Sequence, residues 1–193
     1  MDIVSLSLIA VFLASFNFLY RSWREKKRER WLENLSSGLK AVLSVDKHSM
    51  DYHVYNLNGF YQNIPFQCAY VKGLWGKPSC FKVMIPSRLL DFFLIQPASK
   101  NQENHHERMG LDPLFQVQGD SDEEVKKWLS NSKNKDTLLK LFKMGIQRIE
   151  TKIEDEKRIL QITLVSTDKS GQTFFWVTAK WVKQSLTLMS ELV

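Results

Sequence analysis

Residues 3–30 read IVSLSLIAVFLASFNFLYRSWREKKRER, an uncharged apolar run followed at once by a basic one. How that stretch is read settles the plan of the chain. At about 1.5 Å per residue the uncharged run makes about 27 Å of helix, close to the roughly 30 Å of hydrocarbon that one membrane span must cross. The sequence therefore predicts a transmembrane anchor over residues 1–20, stopped by Arg21, Arg24, Lys26, Lys27, Arg28 and Arg30. These six cations stand against Glu25 and Glu29, while only Asp2 carries charge ahead of the span. Cationic flanks are retained on the cytoplasmic side, which predicts a single-pass membrane protein with its C-terminal domain cytoplasmic. A cleaved secretory signal needs a positive region before its apolar core and small residues after it, and neither is present.

The same reading supplies candidate contacts. Arg21, Arg24, Lys26, Lys27, Arg28 and Arg30 are placed to touch the membrane surface, where each cation gains on the order of 1 kcal/mol from anionic lipid headgroups. The alternative, that these charges only set topology, follows from the same residues. Ser7, Ala10 and Ala14 share one helical face and would allow close approach of a second helix, so the expected partners are the lipid bilayer, anionic lipid headgroups, a homodimer through the anchor and a further protein partner that the sequence does not identify. The net charge of +6 owes much to the juxtamembrane run, which argues against nucleic acid.

Residues 21–48 are read as a basic juxtamembrane helix and connection. Trp31, Leu35, Leu39 and Val42 form one apolar stripe, with Gly38 as its soft point. From Tyr52 the pattern changes to short aromatic and branched runs divided by Asn58-Gly59, Gly73, Gly76-Lys77-Pro78 and Pro86, which is strand-and-turn punctuation. Strands are predicted over 52–57, 67–74 and 80–85, with Asn58-Gly59 as a tight turn. Residues 92–96 suit a strand or, from Arg88, a short helix. Residues 98–108 suit an exposed loop, and 115–118 a strand.

Asp120, Ser121 and Asp122 then start a helix with Glu123 and Glu124 in its first turn, where negative charge complements the helix dipole. A second short helix is predicted over 136–143. Paired strands over 147–153 and 158–165 follow about an Asp155-Glu156 turn, and a closing helix lies within 173–192. Residues 49–193 thus read as one α+β domain, an antiparallel sheet with packed helices. The fold class predicted for the whole chain is that domain behind an N-terminal transmembrane helix.

Chemistry is harder to find. His105 and His106 beside Glu107 and Asp112 combine imidazole with carboxylate, the usual acid-base and metal partners, but adjacent side chains diverge and no second spaced set completes a coordination sphere. Asp46, His48, Asp51 and His53 form another polar group, in which Asp51 and His53 would share a face of an extended strand. Gly73-Leu74-Trp75-Gly76-Lys77-Pro78-Ser79 has neither the glycine-to-lysine spacing nor the free amides of a phosphate loop. Cys68 and Cys80 are too few for zinc and too far apart in sequence for a redox pair, and no disulfide is expected in a reducing compartment. Trp75, Phe81, Phe92, Phe93, Phe174 and Trp176 read as core rather than as a stacking platform. No catalytic, cofactor or metal residue is nominated.

The stretch Gly110-Leu111-Asp112-Pro113-Leu114-Phe115-Gln116-Val117-Gln118-Gly119-Asp120, followed by helices bearing Leu129 and Leu138-Leu139, resembles a pattern in uncharacterised bacterial single-pass membrane-tethered domains. It departs from that pattern at Leu114, where the pattern favours an acidic residue, and at Arg108-Met109. The resemblance implies the architecture of span plus small mixed domain, and no activity. The expected function is a membrane-anchored, non-catalytic binding or scaffold module. Two alternatives stay open: a membrane-tethered enzyme using Asp51, His53, His105 or His106, and a domain that binds an apolar ligand in a cavity.

Overall fold

Two pairs of left-handed residues turn the chain back on itself: Gln62 (φ 50°) with Asn63 (φ 65°), and Asp155 (φ 47°) with Glu156 (φ 61°). Successive positive φ values make the turn whose twist matches that of antiparallel strands. The computed structural model describes residues 3–49, 52–73, 78–89, 93–97, 115–119, 122–166 and 174–193. Within them lie helix α1 (Ile3–Leu39), strands β1 (Val42–Ser49), β2 (Tyr52–Tyr61), β3 (Ile64–Gly73), β4 (Cys80–Pro86), β5 (Phe93–Pro97) and β6 (Phe115–Gly119), helices α2 (Asp122–Ser130) and α3 (Ser132–Lys143), strands β7 (Arg148–Glu154) and β8 (Lys157–Val165), and helix α4 (Ala179–Leu192).

The strands form one eight-stranded sheet in the order β1-β2-β3-β4-β8-β7-β5-β6, antiparallel at every pairing. Helix α1 packs on β1 and β2, α4 lies on β4 between α1 and α3, and α2 joins α3 to β6. Side chains alternate across a strand. Leu57, Cys68, Phe81, Val83, Ile162 and Ile149 therefore point together into the helix-covered face, where they meet Leu32, Leu35, Leu138, Leu141, Val182 and Met189. Each large aliphatic side chain so buried contributes about 1.5–3 kcal/mol relative to exposure.

Local chemistry explains the ends of the helices. Asn131 caps α3 by accepting from the Lys133 N–H, and Thr178 caps α4 by accepting from the Trp181 N–H. At the far end of α1, Lys40 takes a left-handed conformation (φ 53°), and the Ala41 N–H donates back to the Ser36 carbonyl at 2.9 Å. That closing bond satisfies a carbonyl the helix leaves open. Gly38, the expected soft point, does not interrupt the helix. A Cβ there would stand 2.6 Å from the Ala179 Cβ, so the missing side chain lets α1 and α4 approach closely.

The expected fold class is corrected at the amino terminus. Among the described residues no helix is long and apolar enough to cross a membrane. Helix α1 continues without a break to Leu39, with Trp31, Leu32, Leu35 and Leu39 buried against the sheet and α4. Its second half is an element of the α+β fold. Among the described residues nothing supports the expected single-pass topology, its cytoplasmic orientation, the lipid bilayer and headgroups as partners, or the anchor seam as a dimer contact.

Two smaller expectations also change. Asn58 and Gly59 lie inside β2, opposite Gln67 and Phe66, and the turn falls at Gln62-Asn63. Gly59 fits tight packing, since a Cβ would meet the Phe66 ring at 3.0 Å and the Ala41 Cβ at 3.2 Å and force a neighbour to shift. Val42, assigned to the helical stripe, instead opens β1 with 72% exposure, while Trp176, assigned to the core, is half exposed.

Candidate functional site

Sheet pairing creates a concavity among the described residues. In a two-residue hairpin the residues flanking the turn exchange both backbone bonds, and such pairs alternate along the ladder with pairs whose backbone groups face outward. Tyr61 and Ile64 flank one turn, Glu154 and Lys157 the other. One step on, Pro65 therefore directs its nitrogen toward β4. By the same count Arg158 faces β4, where its carbonyl accepts from the Ser87 N–H at 2.8 Å. Pro86, one residue before Ser87, then faces β3.

Strands β3 and β4 pair from Val71 opposite Cys80 to Gln67 opposite Met84 and no further. Continued, the ladder would set Pro65 against Pro86, two residues that have no N–H to donate. The pairing stops two steps short of that position, leaving Phe66 and Ile85 unpaired with each other as well. The β2–β3 and β8–β4 pairs run on separately, to Tyr61 opposite Ile64 and to Pro86 opposite Ile159. A fork opens between them.

That fork is a groove of about 950 Å³. Its apolar surface comes from Val42, Phe60, Pro65, Phe66, Met84, Ile85, Pro86 and Ile159. Phe66 and Ile85 belong to the core and are reached only because the strands part. Phe60 is 73% exposed. Lys40, Lys157 and Arg158 lie around the rim and have no ion pair among the described residues. The one carboxylate of the lining, Glu154, is paired with Lys152, and the Ser87 hydroxyl accepts from the Leu89 N–H at 3.1 Å. The rim is therefore positive around an apolar floor.

Beside the groove, on the face away from the helices, Arg148 donates twice to Glu150 Oε2, at 2.9 and 2.5 Å, and Gln161 Nε2 donates to Glu150 Oε1 at 2.6 Å. Gln161 is 1% exposed and its Oε1 has no partner among the described residues. This network ties β7 to β8.

The six basic residues singled out in the sequence separate. Arg21, Lys26 and Arg30 are exposed. Lys27 sets its ammonium 5.3 Å from the Trp23 ring and 5.0 Å from the Phe175 ring. Arg28 is buried, with its guanidinium 5.2 Å from the Tyr55 ring, and Arg24 lies 5.6 Å from the Tyr20 ring. Arg28 Nη2 and Lys72 Nζ converge on Glu25 Oε1, at 3.5 and 3.4 Å.

Burial pushes the Glu25 carboxyl up, but the Lys72 and Arg28 charges outweigh it and hold the group below its ordinary value. Burial and the Arg28 charge pull Lys72 down despite Glu25. Arg28 Nε is buried without an acceptor among the described residues. An unmade bond of that kind costs about 1–3 kcal/mol.

The other sequence candidates do not assemble. His53 lies half-buried in β2 opposite Lys72. Asp51, His105, His106, Glu107 and Asp112 lie outside the described residues, as do the side chains of Asp46 and His48. Among the described residues no group of three potential metal ligands occurs. Cys68 and Cys80 are free thiols, each pushed up by burial, with Lys82 partly opposing the effect at Cys80. Sequence reasoning missed the groove. Its signal was present as one proline in each of two neighbouring strands, but Pro65 and Pro86 become opposed only once the register is known.

Compared with known proteins, the chain matches no family model, no curated protein and no solved structure. The resemblance drawn through residues 110–120 is thereby corrected. Its short strand and the two helices after it lie within the described residues, but no helix there is long and apolar enough for the span it implied.

Proposed function

We propose that this domain is a non-catalytic binding module whose ligand lies in the fork between the β2–β3 and β8–β4 pairs. The ligand has an apolar body and an anionic end. The observation that carries this reading is an apolar groove of about 950 Å³ rimmed by Lys40, Lys157 and Arg158. Ligand sites are characteristically concave, mostly apolar and supplied with a few polar groups that orient the bound molecule. Here the floor supplies burial and the cations supply orientation. Binding rather than reaction is favoured because the lining carboxylate and hydroxyl are both engaged, by Lys152 and by the Leu89 N–H.

Dodecanoate below its micellar concentration is the probe, with dodecylammonium as the charge-reversed control and calorimetry as the readout. The full chain binds dodecanoate in preference to the ammonium. Phe60→Ala removes an exposed wall residue and weakens both ligands. Arg158→Glu selectively weakens dodecanoate by about fivefold, the equivalent of about 1 kcal/mol for an exposed charge pair. Failure of the unmodified chain to bind dodecanoate, or unchanged binding in both variants, overturns the proposal.

A further inference from the structure

At the other end of the packed part of α1, remote from the groove, we propose a second site in which Arg24, Arg28 and Lys72 hold a small oxyanion of the phosphate class. Arg24 and Arg28 are one helical turn apart and so neighbours on one face. Lys72 comes from β3, with Lys72 Nζ and Arg28 Nη2 on the same Glu25 oxygen. Two cations thus meet on one carboxylate, whose side chain is 54% exposed, and Arg24, over the Tyr20 ring, is close enough to add its positive field at Lys72.

Arg28 gives the site its shape. Its side chain is 9% exposed, and contact with the Tyr55 ring fixes the plane of the guanidinium. On a guanidinium, Nε–H and one Nη2–H project in parallel from the same edge, a fork that matches two oxygens of an oxyanion. Glu25 reaches only Nη2, at 3.5 Å, and leaves the buried Nε–H of that edge without a partner among the described residues. The bare donor thus adjoins the nitrogen that meets Glu25. A tetrahedral oxyanion can place two oxygens on this edge and present the others to Lys72 and Arg24, which a planar carboxylate cannot. A doubly charged phosphate also matches the local excess of three cations over one carboxylate. Lys72 is pulled down first by burial and then by the Arg28 and Arg24 charges, against the opposing effect of Glu25.

The test is a titration of the full chain, labelled with nitrogen-15, with inorganic phosphate at constant ionic strength, following the arginine Nε–Hε resonances with chloride as the control. The Arg28 resonance is expected to move saturably with phosphate and not with chloride. Because Arg28 is buried, its replacement risks unfolding. Arg24→Ala and Lys72→Ala are the informative variants, and each is expected to weaken phosphate binding several-fold. Lys157→Ala, at the groove, is expected to leave it unchanged, so the two sites fail or succeed separately. Absence of a saturable shift, or an identical titration when Arg24→Ala and Lys72→Ala are combined, overturns the site.

Discussion

Helix α1 has two halves that share a backbone conformation and almost nothing else. In the first, Phe12 and Phe18 are 70% and 73% exposed; in the second, Leu32 and Leu35 are 1% and 2% exposed. Both halves are rich in large apolar side chains, and the first is the more uniformly so. Hydrophobicity measures what a surface gains when water leaves it. It does not say which element will cover it. The second half is covered because Trp31, Leu32, Leu35 and Leu39 recur at helical spacing, so one stripe fits between the sheet and α4.

The contrast predicts a graded series of effects on stability, measured by denaturant unfolding. Leu35→Ala leaves a cavity in the core and is expected to cost about 2–5 kcal/mol. Gly38→Ala drives a methyl group against Ala179 and is expected to cost about 1–3 kcal/mol through overpacking. Trp31→Phe keeps most of the aromatic contact with Tyr70 and Phe81 but strands the Val177 carbonyl, which accepts from Trp31 Nε1 at 2.8 Å. A buried acceptor so stranded costs about 1–3 kcal/mol. Phe12→Ser is expected to stay within about 0.5 kcal/mol, as for exposed positions generally. A loss from Phe12→Ser as large as that from Leu35→Ala would erase the distinction between the halves.

The smallest effect lies at the junction. Glu25 sits below its ordinary value in the folded chain, so its contribution to stability is present above the unfolded value and is lost as pH falls through the folded one. Unfolding midpoints of the unmodified chain and of Glu25→Gln should therefore differ at neutral pH and converge in acid. A difference that persists below the folded value would show that the side chain acts through packing and not through charge.

Much of the sheet was legible because alternation and turn chemistry are local. The pair β7 and β8 about Asp155-Glu156 lies within a residue of its expected bounds, and α3 encloses the segment read as helical. The misreadings came where local preference met a distant neighbour. Asn58-Gly59 has the chemistry of a turn, yet Gly59 sits inside β2, where Phe66 and Ala41 leave little room for a Cβ. Val42 continues the apolar stripe of α1 in sequence, but the chain turns at Lys40 and pairs Val42 with Asn58. Nothing in either segment alone reports its partner.

The same division applies to the two candidate sites. Residue order alone specified an α+β chain, its helix-to-strand alternation, its basic run and the stripe that buries half of α1, because periodicity and charge are properties of neighbours along the chain. Opposing Pro65 to Pro86, bringing Lys72 to Arg28 and choosing which apolar half of α1 would be covered all required strands and helices distant in sequence to meet. Those outcomes depend on register and packing, which exist only once the whole sheet has formed.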